Sequence, residues 1–298
     1  MENVLITGAF GQLGTELQLL SAGKPGFLFT DVTEAGAVRR LDICDAEAVE
    51  RFVAENRVGT IVNCAAYTDV NRAESDVARC MAINVEGPRN LARSARRHGA
   101  ALIQISTDYV FDGKRKSGIP YTETSRRHPV SVYGASKRAC EDAVRRTGCR
   151  GVIIRTAWLY SPFGKNFVKT MLRLGSEKPE IGVVADQFGT PTYARDLAEA
   201  ILRIIGRIGD RRGEVYHFTD EGRCSWAEFA GRIMQEGRLD CRIRPLTTAE
   251  YPTPAERPAW SVLSKDKVRR DFGVATPQWE TSLRDCIRRI RQQEGPAV

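Results

Sequence analysis

The seven residues GAFGQLG, beginning at Gly8, limit the possible folds of this chain more than any other stretch. They place Gly8, Gly11 and Gly14 at GxxGxxG spacing, directly after the apolar run NVLIT (3–7) and at the start of a helical pattern that runs to about Leu20. Glycines at these points permit a tight turn and let a backbone approach a pyrophosphate, whose charge is favoured by the free N–H groups of a helix N-terminus. Taken alone the spacing is a weak signal. Its position between a strand and a helix gives it weight.

The same strand-then-helix rhythm continues. GFLFTD (26–31) reads as a strand, and DAEAVERFVAENR (45–57) as a helix with Asp45 as N-cap and Val49, Phe52 and Val53 on one face. TIVNCAA (60–66) is a strand, a long helix spans Ser75 to His98 before Gly99, and ALIQIST (101–107) is a strand. A helix over 130–148 ends in glycine, and GVIIRTAWLY (151–160) is again a strand. This alternation predicts a Rossmann-type doubly wound parallel sheet with helices on both faces, an α/β fold, over residues 1–160. After Ser161 come a helix over 166–178, strand 180–186, helix 194–205, strand 214–219, a capping box at Ser225 and Glu228, a proline-rich loop at 247–260 and a last helix over 278–292. Residues 161–298 are therefore expected to form mostly a small mixed α/β C-terminal lobe that binds substrate, with some later segments returning to the first domain.

Composition narrows the classes of partner. The chain has 298 residues, enough for a substantial core, and a net charge of +8. That charge is dispersed over short clusters (Arg96-Arg97, Arg145-Arg146, Arg211-Arg212, Arg288-Arg289-Arg291), which read as solvated helix faces. A nucleic-acid binder concentrates its charge, so no nucleic-acid partner is expected, while a positive field suits an anionic small substrate. Eight cysteines without a CxxC pair and three unpaired histidines predict free, mostly buried thiols and no metal site. His98 reads as a helix end, His128 as an exposed loop residue and His217 as a strand residue. No apolar run approaches a membrane span, and the N-terminus lacks a leader pattern, so a cytoplasmic protein is expected.

Asp31 ends the second strand, about twenty residues beyond the glycine turn, where an acid can accept hydrogen bonds from an adenosine ribose. A turn-capping aspartate is the plainer reading of it. An acid there disfavours a 2′-phosphate, yet Arg39 and Arg40 stand nearby to compensate, so NADPH and NADH both remain open. Asp42 and Ile43 would follow at the adenine edge. In YGASK, Tyr133 and Lys137 are four apart on a helix and share a face. A phenol ionises near ~10, and a neighbouring ammonium is expected to lower that value. Thr107, ending the strand before, is placed to donate to a carbonyl oxygen beside Tyr133. Asn84 is expected to order backbone.

With these motifs on the page, the chain resembles the extended short-chain dehydrogenase/reductase family, and within it the sugar-nucleotide 4-ketoreductases. The resemblance spans essentially the whole chain and is carried by GAFGQLG, VNCAAYTDVNRAE (62–74), INVEGPRNLA (83–92), STDYVFDG (106–113), YGASK, RTAWLY (155–160), GKNFVKTMLR (164–173), DQFGTPT (186–192) and RPAWSVL (257–263). It implies Thr107, Tyr133 and Lys137 as catalytic residues, with Tyr133 the proton donor. It implies cofactor contacts at Gly8, Gly11, Gln12, Leu13, Gly14, Asp31, Asp42, Ile43, Ala66, Tyr67, Thr68, Tyr133 and Lys137. Substrate contacts are implied at Thr107, Asp108, Trp158, Asn166, Gln187 and Arg257, although Trp158 also reads as core. Some relatives bind magnesium at a dimer contact. Arg195 occupies a stretch where those carry an acid, so magnesium is not expected here, and a homodimer stays open.

Related sugar-nucleotide 4,6-dehydratases place Asp-Glu after the strand-end threonine, because elimination needs a paired base and acid. Here Asp108 is followed by Tyr109, which suits carbonyl reduction. The reaction that the resemblance implies is NADPH- or NADH-dependent reduction of the C4 ketone of dTDP-4-dehydro-6-deoxy-L-mannose to dTDP-L-rhamnose. A sugar-nucleotide epimerase of the same fold, and a non-catalytic subunit resembling the regulatory subunit of methionine adenosyltransferase, are the alternatives.

Overall fold

The structure, a computed structural model, describes residues 2–294. Strand β1 (Asn3–Thr7) lies at the centre of the sheet because both of its faces are apolar: Leu5 and Ile6 are fully buried on opposite sides. Around it assemble β2 (Phe27–Asp31), β3 (Val38–Arg40), β4 (Val58–Asn63), β5 (Ala101–Thr107), β6 (Arg150–Thr156) and, far later in the chain, a strand at Arg212–His217. All pairings are parallel. The spatial order runs from the late strand through β6, β5, β4, β1 and β2 to β3. The chain reverses direction across the sheet between β1 and β4, so the crevice at the carboxyl ends of these two strands is the switch point where ligands of such sheets bind.

Helices cover both faces. Helix α1 (Gln12–Ser21) crosses from β1 to β2, and α2 (Ala46–Glu55) from β3 to β4, capped by the Asp45 side chain on Ala48 N at 2.9 Å. A short helix, α3 (Val70–Ala73), precedes the region expected to be one long helix, which is itself broken: α4 (Val77–Met81) is followed by a π-helical turn, Ala82–Glu86, and then α5 (Gly87–Arg97). Apolar periodicity runs through the break, so only the widened turn itself distinguishes it. Helix α6 (Val132–Thr147) is capped by Ser131 and closed by Gly148 in the left-handed conformation.

The strand expected over 151–160 stops at Thr156. Trp158 takes φ +48 and the chain bends before the short β7 (Leu159–Tyr160). From there α7 (Phe167–Glu177), β8 (Glu180–Val184), β9 (Phe188–Gly189), β10 (Thr192–Tyr193), α8 (Ala194–Ile205), β11 (the Arg212–His217 strand), β12 (Cys224–Ser225), α9 (Trp226–Gly237), β13 (Arg242–Leu246), α10 (Asp266–Phe272) and α11 (Trp279–Glu294) complete the chain. Helix α8 packs on α1 beneath the main sheet, while β8 pairs with β13 in a separate ribbon. The expected capping box of α9 is present at Ser225 and Glu228. A core separate from those flanking the sheet, built on Tyr160, Phe229, Trp279 and Ile287, sits between α7, α9 and α11. No helix among the described residues is long and apolar enough to cross a membrane.

Candidate active site

The glycine turn leaves one side open. Gly8 has φ +67, and a Cβ there would lie 2.5 Å from Ala65 N, while a Cβ on Gly14 would lie 2.2 Å from Gly8 O. These two glycines are demanded by strand and helix packing. Gly11 differs: it is the N-cap of α1, makes no side-chain cap, and a Cβ on it would meet only Gly8 O, at 3.2 Å. The first-turn N–H groups of α1, including those of Gln12 and Leu13, thus face an open cradle that fits a pyrophosphate. The Leu13 side chain is buried beneath it.

At the end of β2, Asp31 accepts from Phe10 N (3.0 Å) and Val32 N (2.8 Å), so its carboxylate orders the glycine turn. The two arginines separate. Arg40 pairs in register with Asp31, whereas Arg39 lies over the Phe52 ring at 4.3 Å and donates to Asn56 Oδ1. Of the two arginines expected to compensate Asp31, only Arg40 remains beside it. Asp42 accepts from Cys44 N (2.8 Å), and Ile43 is buried beside Gly87, where a Cβ would lie 2.5 Å from it. After β4 come Ala66, Tyr67 and Thr68, of which Thr68 lines the cavity beyond Tyr109. Asn84, on the π-helical turn, accepts from Tyr67 N (2.9 Å) and donates to Tyr67 O (3.1 Å) and Ser136 Oγ (3.0 Å), so it orders backbone.

The strand end of β5 and the first turns of α6 bring Thr107, Tyr133 and Lys137 together. They can approach because residue 134 is glycine: a Cβ there would lie 2.3 Å from Tyr109 O. The Thr107 hydroxyl stands beside the Tyr133 phenol and donates to Asp108 Oδ1 at 2.9 Å. Burial pushes the Tyr133 phenol well up, opposed by the Thr107 contact and reinforced by Asp108. The expected lowering by Lys137 is not what the geometry provides. The Lys137 ammonium donates to Ile105 O (2.7 Å), and burial lowers its own pKa. Asp108 is buried, and desolvation raises its carboxyl to about 6 against the Ser261 and Thr107 hydroxyls.

Tyr109 continues the site outward. Its ring meets that of Tyr133 edge-on at 5.5 Å, and its phenol contacts Arg257. It opens onto a cavity of about 770 Å³ walled by Asn71, Gln187, Trp226, Thr253 and Arg257. Arg257 donates to Asn71 Oδ1 (3.1 Å), and Gln187 to Thr248 Oγ1 (3.0 Å). Trp158 stacks on Trp226, with centroids 3.5 Å apart, and backs this wall. Asn166 is placed elsewhere. Its side chain caps α7 at Lys169 N and donates to Ser161 O, Phe163 O and Gln12 Oε1, so both of its polar atoms are engaged within the fold. Gln12 is likewise bound through its side chain, to Leu159 O and Ser161 Oγ.

Sequence reasoning missed Asn71, Tyr109, Trp226 and Thr253 as cavity residues. Asn71 and Tyr109 lie inside motifs already singled out, and Thr253 lies in the proline-rich loop, so proximity to those motifs was the available signal. Arg195, the residue on which the magnesium expectation turned, lies 3.9 Å from the fully buried Glu16 carboxylate, which Arg289 meets at 2.7 Å. The charge of Glu16 is thereby answered by two guanidinium groups. No cluster of three or more His, Cys, Asp or Glu residues is placed to hold a metal ion among the described residues.

The model of one protein family, RmlD substrate binding domain, matches residues 1–292. The dTDP-4-dehydrorhamnose reductase of Aggregatibacter actinomycetemcomitans is 40% identical over 296 residues, covering 96% of this chain and 98% of its own. Among solved structures, a dTDP-4-dehydrorhamnose reductase from Clostridium acetobutylicum superposes with a TM-score of 0.90 at 41% identity, covering 97% of this chain and 99% of its own. The Bacillus anthracis dTDP-4-dehydrorhamnose reductase, solved in complex with NADP, has a TM-score of 0.88 at 38% identity, with the same coverage. Matches of this length and identity place it plainly: the chain belongs to the family of dTDP-4-dehydrorhamnose reductases.

Proposed function

We propose that this chain reduces the C4 ketone of dTDP-4-dehydro-6-deoxy-L-mannose to dTDP-L-rhamnose, using NADPH or NADH. The observation that carries the reading is the junction of β5 and α6: Thr107 beside the Tyr133 phenol, Lys137 on the next turn, and Tyr109 where an eliminating enzyme needs a second carboxylate. The open turn at Gly8, Gly11 and Gly14, with Gln12, Leu13, Asp31, Asp42, Ile43, Ala66, Tyr67 and Thr68 around the crevice, would hold the dinucleotide. Reduced nicotinamide, when bound, supplies the hydride that reaches C4. Tyr133 holds its proton at neutral pH, because burial disfavours the phenolate, and delivers it to the oxygen that becomes the C4 hydroxyl. The Thr107 hydroxyl, turning from Asp108 Oδ1, would donate to that oxygen as charge builds. Lys137, held by Ile105 O one turn beyond Tyr133, would meet the nicotinamide ribose, and Asp108 would bind a sugar hydroxyl.

The cavity beyond Tyr109 would take the nucleoside diphosphate, with Arg257 and Gln187 as its polar contacts and Trp158 supporting Trp226 behind it. Residues 1–160 thus furnish chiefly the cofactor side and residues 161–298 chiefly the substrate side. The remaining partners in this reading are a single anionic small molecule and, open to a light-scattering measurement, a second copy of the chain. Neither a nucleic acid nor a membrane is needed, and the reaction suits the cytoplasm.

The test is a coupled assay in which the keto sugar is generated in place and supplied with NADPH and separately NADH. Loss of reduced-nicotinamide absorbance, with dTDP-L-rhamnose identified by NMR, is the expected outcome. Tyr133→Phe should lower turnover by about 10²- to 10⁴-fold while cofactor binding persists. Wild-type-like turnover in that variant would refute the mechanism.

A further inference from the structure

One buried ion-pair network lies directly behind the catalytic helix and has no part in the chemistry above. Glu141 is fully buried and sits one turn beyond Lys137, so that Tyr133, Lys137 and Glu141 occupy one face of α6 at i, i+4 and i+8. Both of its carboxylate oxygens are saturated. Oε1 accepts from Ser106 Oγ (2.6 Å) and Arg155 Nε (2.7 Å), and Oε2 accepts from Arg155 Nη2 (2.7 Å) and Arg127 Nη1 (3.1 Å).

These partners come from the elements that carry the rest of the site. Ser106 is on β5, between Ile105, whose carbonyl holds the Lys137 ammonium, and Thr107. Arg155 is on the neighbouring strand β6, in register with Ser106, and is 1% exposed, which for so long a cation means that its pairing is obligatory. Its guanidinium also lies over the Phe111 ring at 5.1 Å. Arg127, which additionally holds Asp142 (2.7 Å), ties in the loop that leads to α6.

A buried pair of this kind adds little net stability compared with apolar packing of the same volume, since desolvation offsets the attraction. What it does supply is register, because a bidentate guanidinium and a short hydroxyl bond tolerate little sliding. A slip of α6 along β5 would carry Tyr133 away from Thr107 and Lys137 away from Ile105 O together.

We propose that Ser106, Glu141 and Arg155 are positioning residues for the reduction. They lock the height of α6 against β5 so that the Tyr133 phenol and the Thr107 hydroxyl meet one carbonyl oxygen. This rests on the reading of the chain as a ketoreductase. Ser106 is the component that can be removed with least harm to folding, because Ser106→Ala leaves Glu141 paired with both arginines.

The experiment measures kcat, both KM values, thermal stability and the solvent deuterium isotope effect for wild type and Ser106→Ala on the same keto sugar. The variant is expected to lose about 10- to 100-fold in kcat, the cost of misaligning a reacting group by up to ~1 Å. Both KM values should stay within about twofold and the solvent isotope effect should grow, since proton delivery from a displaced Tyr133 becomes slower. A kcat within about twofold of wild type would overturn the proposal, as would a loss with an unchanged isotope effect. If Ser106→Ala does not fold, Glu141→Asp, which keeps the charge and retracts it by one methylene, is read by the same criteria. Absence of turnover by the wild type would instead refute the ketoreductase reading, so the two failures are distinct.

Discussion

Asp31 has two tasks, and they pull its expected mutant phenotype in different directions. Its oxygens order the glycine turn through Phe10 N and also accept from Val32 N, which affects any dinucleotide, and its charge is the one proposed to meet the adenosine ribose. Arg40, across the sheet register, is the cation available to a 2′-phosphate, since Arg39 is held over Phe52. Asp31→Ala should therefore raise KM for NADH more than for NADPH, and Arg40→Ala should weaken NADPH by about tenfold or more while sparing NADH, on the scale of a lost charge-assisted hydrogen bond. Initial rates with both cofactors check this, and equal losses for both in each variant would remove the discrimination from these residues. At this same scale the sequence marks candidate residues but does not give their orientation. Nothing in the letters around Arg39 and Arg40 says which one leans onto a phenylalanine. Nor do they say that the amide of Asn166 is consumed by a helix cap and by Gln12, 154 residues away.

Two elements meet in a cluster of acids below the sheet. The Asp196 carboxylate, in the first turn of α8, lies beside that of Asp220, just past β11, with Glu199 and Asp285 nearby and Lys265 facing Asp220. Ser282 donates to Asp196, and Tyr193 N donates to Asp220 at 3.0 Å. Burial and the neighbouring acids raise Asp196 from 3.8 to about 6 and Asp220 well upward. The folded state thus holds protons that the unfolded chain releases, and stability falls as pH rises through the window from 3.8 to about 6. Asp196→Asn removes that penalty and can still accept from Ser282. Thermal unfolding should show the variant more stable by roughly 1–2 kcal/mol above pH 6, with the advantage gone near pH 4. A variant equally destabilised at both pH values would show that the carboxylate is needed charged. The π-helical turn illustrates why element boundaries were harder to read than element types. Its buried Asn84 and Val85 keep the apolar phase of the flanking helices, and the extra residue is stabilised by Tyr67 and Ser136, contacts made across the fold.

The molecule as a whole joins a sheet that presents its strand ends to a crevice with a C-terminal lobe that closes one side of it. A ketoreductase of this build exchanges its dinucleotide every turnover, whereas an epimerase must regenerate its own. Freshly purified protein is accordingly expected to carry well under one equivalent of nicotinamide cofactor and to consume reduced cofactor stoichiometrically with product, as absorbance and mass spectrometry of the denatured protein would show. Retained NAD⁺ at one equivalent with no net consumption would point to epimerisation, and co-purification with a partner enzyme to a binding role.

The sequence by itself determined the parallel α/β architecture, the glycine turn, the YGASK face and the strand-end Ser106-Thr107-Asp108, because each rests on short-range periodicity or on local backbone chemistry. Tertiary structure alone decided the rest. It set the break at the π-helical turn, the bend at Trp158, the pairing of Glu141 with Arg155 and of Glu16 with Arg289, and the contact of Arg257 with Asn71 across 186 residues. Those features depend on which distant side chain satisfies a buried charge or amide. That choice is made only when the elements pack and water is excluded.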